Sequence, residues 1–121
     1  MIMSCVTIFS NIKFEPEEKK KFFELSEAAI SKCFQKKSMM LIEIPPENQY
    51  ANAPGCVYFF LYAPPARTEN QKRTLIKDLD DVVKEVVGQR VENARACVIF
   101  KHHHGSDAGV GGVMHLDNGV Y

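Results

Sequence analysis

The chain has 121 residues, 45% apolar and 25% charged, with no long biased tract, which is enough for one hydrophobic core and too little for two. Its 15 cationic and 15 acidic side chains cancel, so no net field gathers nucleic acid or an anionic membrane, and neither is expected as a partner. No run reaches the roughly 20 apolar residues that a membrane helix needs.

The opening stretch is apolar, but it has no basic leader and no clear small-residue cleavage site. It therefore reads as a first strand, Met3 to Phe9, rich in Val, Ile, Thr and Phe. A helix over 16–36 follows. Pro16 suits its first turn, Glu15, Glu17 and Glu18 suit the positive end of its dipole, and Lys32, Lys36 and Lys37 suit the other end. Met39 to Ile44 is a second apolar run, stopped by Pro45 and Pro46. Three prolines, two asparagines and a glycine between Pro45 and Gly55 mark a loop.

The pattern then restarts. Cys56 to Ala63 is a strand, Thr68 can cap a helix running to about Val87, and Ala96 to Lys101 closes the second unit. The two helices carry one apolar face twice: Phe22, Phe23, Ala29, Ile30, Cys33 and Phe34 recur as Leu75, Ile76, Val82, Val83, Val86 and Val87, 53 residues later. The expected organisation is one domain over 1–121, with unit one at 1–45, a linker at 46–55 and unit two at 56–121.

Two tandem β-α-β units imply an α+β fold, a four-stranded sheet with two helices on one face. The other face is then uncovered. Because Val57 to Tyr62 is apolar at every position, something is expected to cover it, and another copy of the chain is the expected cover. A monomeric ferredoxin-like binding domain is the alternative, with that face in water.

The four cysteines, Cys5, Cys33, Cys56 and Cys97, fall one per predicted element without a Cys-x-x-Cys spacing. They are expected to be reduced thiols of a cytoplasmic protein. A metal site joining Cys97 to His102, His103 and His104 is disfavoured, because adjacent strand residues point to opposite faces; no metal and no cofactor are expected. Neither a dinucleotide fingerprint nor a P-loop fits the glycines at 109–112, since no helix-forming run or Lys-Ser/Thr follows.

The second half is specific: Arg67-Thr68-Glu69-Asn70-Gln71-Lys72, then Leu75 and Ile76, and finally Gly109-Val110-Gly111-Gly112. It resembles 4-oxalocrotonate tautomerase over about residues 57 to 113, and the whole chain resembles a fused, two-unit member of the tautomerase superfamily. The resemblance implies a homotrimer with sheets facing inward, a terminal hairpin arm at Val113 to Tyr121 packed on a neighbour, and an isomerase acting on the enol or keto form of a small carboxylate.

The family's base is an N-terminal proline exposed by removal of Met, whereas position 2 here is Ile. The resemblance then leaves the α-amine of Met1 as the catalytic candidate. Arg67 matches the family arginine that grips the substrate carboxylate, for which a guanidinium fork is suited. A second family arginine would fall at Ala96 or Cys97, which makes Arg95 the nearest substrate-binding candidate. The other expectation is a non-catalytic trimer that binds a small anion or a protein partner. Gln89, His102, His103, His104 and Asp107 lie where the family's pocket wall would be, although histidines at a strand end are more often solvated than catalytic.

Overall fold

The computed structural model describes residues 4–35, 37–48, 54–63 and 67–120. Its elements run β1 (Ser4–Ser10), α1 (Pro16–Ser31), β2 (Lys37–Glu43), β3 (Cys56–Ala63), α2 (Glu69–Val87) and β4 (Arg95–His102), followed by a hairpin of β5 (Gly109–Val110) and β6 (Val113–Met114). The sheet order is β2-β1-β3-β4. Each crossover pair, β1 with β2 and β3 with β4, is parallel, and the two units meet along an antiparallel β1–β3 seam. The fold is the expected tandem of β-α-β units.

Alternation along the strands puts one set of side chains under the helices. Val6 and Ile8 from β1 join Val57, Phe59 and Leu61 from β3, and all five are at most 2% exposed. Phe22 of α1 stacks on Phe14 at 4.7 Å and tilts against Phe59 at 5.8 Å. Leu75, Leu79, Val83 and Val87 of α2 complete the same core. The opposite set of side chains forms the second face of the sheet. There Phe9 and Phe60 meet edge to face at 5.8 Å, while Met40, Tyr62 and Ile99 are exposed. Burial of β3 on both faces is therefore not achieved within one chain.

The first helix ends at Ser31, short of the expected 36. Cys33 and Phe34 donate their backbone N–H groups to Ile30 in a tight turn, and Phe34 drops into the core. The apolar spacing thus outlasts the helix. Lys37, expected as a cation of the last turn, opens β2 instead, where its Nζ donates to Ser31 at 2.7 Å and pairs with Glu27 at 2.9 Å. Thr68 caps α2 as expected, accepting from the Gln71 N–H. Ile76, placed on the repeated apolar face, is 41% exposed.

The segment expected as one arm, Val113 to Tyr121, is split. Its hairpin turns through Gly111 and Gly112, whose φ angles of 61° and 83° suit a two-residue loop. After β6 the chain enters a 3-10 turn, His115–Asn118, closed by Gly119 at φ 81°. Tyr121 lies outside the described residues.

Candidate functional site

The antiparallel seam decides which residues can meet. Cys5 near the start of β1 faces Tyr62 near the end of β3, and parallel pairing adds Ser38 of β2 and Lys101 of β4 to the same sheet end. A cavity of about 390 Å³ lies there, lined by Ser4, Cys5, Ser38 and Tyr62 from the sheet. His103, Asp107, Ala108, Gly109, Val110 and His115 supply its other wall. The C-terminal segment folds back over the end of the sheet to make that wall.

Backbone bonds hold it in place. The His103 N–H donates to the Ala63 carbonyl, extending the β3–β4 ladder, and the His115 N–H donates to Ala108 at 2.8 Å. Val120, itself buried, returns a bond from its N–H to the His115 carbonyl at 3.0 Å. The imidazoles of His103 and His115 are consequently brought together, 6.4 Å between ring centroids with 27° between their planes. His115 is 5% exposed. The Nδ1 atoms of both rings are buried and have no hydrogen-bond partner among the described residues.

The histidine run divides as alternation requires. His102 turns toward α2, its Nε2 2.8 Å from Lys72 Nζ, while His103 joins the cavity. Lys72 also lies over the Phe100 ring at 5.6 Å. Cys97 pairs with Tyr58, well down the strand from the histidines, and among the described residues no group of three His, Cys, Asp or Glu could hold a metal ion.

Of the residues singled out from sequence, Met1 lies outside the described residues. Arg67 follows β3 and so stands at the cavity's end of the sheet, but it does not line the cavity. Its Nε donates to the Cys33 carbonyl and its guanidinium sits 4.6 Å over Phe34. Burial raises the Cys33 thiol pKa, with the charge of Arg67 pulling the other way. Arg95 opens β4 at the opposite end of the sheet, opposite Cys56, and donates to the Asn93 carbonyl at 2.7 Å. At about 3.3 Å per residue, the eight-residue strand keeps it roughly 25 Å from the cavity of its own chain.

His115 was not reached by sequence reasoning, because a lone histidine in a short terminal arm reads as solvated. The available signal was Gly111-Gly112, the turn pair of the hairpin that returns the chain to Ala108.

No family model matches the sequence, and no curated protein matches it. Solved structures do match in fold. A fused 4-OT asymmetric trimer is 20% identical, with a TM-score of 0.78 over 95% of this chain and 98% of that one. Pt0534 inactivated by 2-oxo-3-pentynoate is 24% identical, with a TM-score of 0.76 over 94% and 98%. A malonate semialdehyde decarboxylase is 15% identical, with a TM-score of 0.72 over 95% and 97%. Each match covers nearly all of both chains, so the chain shares the fold of these fused 4-OT, Pt0534 and malonate semialdehyde decarboxylase structures.

Proposed function

We propose that the chain is a tautomerase-type isomerase that interconverts the enol and keto forms of a small carboxylate at the cavity beside the start of β1. The observation that carries this reading is the position of that cavity, where the first strand begins and titratable side chains converge. Arg67, at the same end of the sheet but outside the cavity lining, is the cation assigned to the substrate carboxylate, which requires it to leave the Phe34 ring. Arg95 reaches a site only across a subunit boundary, given its place at the far end of β4.

The site is read as part of a homotrimer. The exposed apolar face that carries Met40, Tyr62 and Ile99 supports this, and fused 4-OT structures of the same fold are trimers. Ketonisation of phenylenolpyruvate, followed for the wild type beside Arg67→Ala, tests the activity. A wild-type rate above background that falls in the variant supports the isomerase, and no rate at high protein concentration rejects it.

A second reading is a non-catalytic trimer that binds a small anion or a protein partner. It is favoured by the contacts of Arg67, which the Cys33 carbonyl and the Phe34 ring hold outside the cavity lining. Binding of a 2-oxo acid without turnover is the result that selects it.

A further inference from the structure

We infer that His103 and His115 are the proton-carrying pair of the cavity, one imidazole taking the hydroxyl proton of a bound enol acid while the other delivers a proton to the adjacent carbon. The inference rests on the isomerase reading and names the groups that perform its chemistry.

The argument starts from placement. His115 is carried into the cavity wall by the 3-10 turn after β6, and His103 by the end of β4. Two separate elements thus deliver the same side chain to one place. A buried ring nitrogen without a partner is costly, and here both rings carry one among the described residues. Buried polar atoms left unpaired in a folded chain are exceptions that need an explanation. Both rings also line the cavity, where a ligand bonds to the imidazoles through its hydroxyl and carbonyl oxygens. A planar 2-hydroxy-2-enoic acid, the enol form of a 2-oxo acid, has the required groups and fits the roughly 390 Å³ available.

The step balances within the pair. A neutral imidazole accepts the proton from the C2 hydroxyl, and the O–H electron pair becomes the second bond of the C2 carbonyl. The C2–C3 double-bond electrons take a proton from the other ring, which enters as imidazolium and leaves neutral. One proton has left oxygen, one has arrived at carbon, and the pair carries the same total charge as before. Histidine suits both halves of this exchange because it can give or take a proton near neutrality. Other titratable groups on the cavity are Cys5 from β1, Tyr62 from β3 and Asp107 from the turn after β4.

The test is ketonisation of phenylenolpyruvate by the full chain and by His115→Gln and His103→Gln, with phenylpyruvate binding and circular dichroism measured for all three. The expected result is a fall in kcat of about 100-fold or more for each variant, with folding and binding retained. Wild-type turnover that both folded variants keep overturns the inference and leaves the isomerase reading standing. No turnover by the wild type overturns both. If the His115 variant fails to fold, His103→Gln and the wild-type pH–rate profile still decide. That profile must bend, in Cys5→Ser as well, and a flat profile overturns the inference.

Discussion

A Cβ placed on Gly105 would stand 1.6 Å from the carbonyl oxygen of Val120. The glycine thus lets Val120, the last described residue, pack against the turn that follows β4, and Val120 in turn donates its N–H to the His115 carbonyl. Substituting Gly105→Ala must displace backbone, because the obstacle is a carbonyl and not the tip of a flexible side chain. The expected cost is about 1–3 kcal/mol of stability. Faster hydrogen exchange at the Val120 amide than at the sheet amides of β1 and β3 checks that the lesion is local to this segment.

The two halves are tied at one corner by Arg90, whose Nε and Nη2 both donate to the Glu18 carboxylate while Nη2 also reaches the Lys13 carbonyl at 2.8 Å. The Arg90 hydrogen bond holds the Glu18 carboxyl below its ordinary pKa; burial opposes the shift, and the Glu15 N–H adds to it. A carboxyl lowered in the folded state contributes stability at pH values above its unfolded pKa, and that stability is lost as pH falls through the folded value. Arg90→Ala should therefore cost about 0.5–1 kcal/mol at pH 7, a modest figure because the pair is partly solvated. The difference from wild type should shrink as unfolding is measured at progressively lower pH, below about 4.3.

Ser26 occupies in α1 the place that Leu79 occupies in α2, 53 residues on, and both are fully buried. Its hydroxyl has no hydrogen-bond partner among the described residues. Replacing it by Ala removes an unsatisfied group without adding volume, so Ser26→Ala should stabilise the protein by about 1 kcal/mol. A rise in the urea midpoint at unchanged slope is the expected signature.

Ile99 stands near the middle of β4 on the uncovered sheet face, 37% exposed. If copies assemble through that face, Ile99→Lys places a charge in a dry interface and should shift sedimentation from trimer to monomer, with the circular dichroism spectrum preserved. A variant that sediments like wild type would place the assembly surface elsewhere.

Strand and helix order was legible because the period-2 and helical patterns were strong and the prolines and glycines separated them. Cys56–Ala63 matches its observed bounds because apolar residues fill it and turn residues flank it on both sides. The end of α1 was misread for a physical reason. Phe34 is buried by a turn that continues the helix's apolar rhythm, and Lys37 looks like a dipole partner until strand pairing claims it. The site was less legible. Arg67 could be placed at an end of the sheet from its position after a strand, but not its contact with Phe34, which depends on where α1 stops. The pairing of His103 with His115 depends on the hairpin turn at Gly111-Gly112, whose sequence marks a reversal but not what it is folded against.

Fusing two units along an antiparallel seam gives the sheet two ends of like construction, each made from the start of one unit's strands and the finish of the other's. In a protein assembled from separate identical units, a substitution at one end appears at the other as well. Joined in one chain, the ends are encoded by different codons and can drift apart. Here one end carries an open cavity lined by two imidazoles, whereas the other presents Cys56, Tyr58 and Arg95. Two units of different sequence in one chain thus give the molecule a polarity that two identical units would lack.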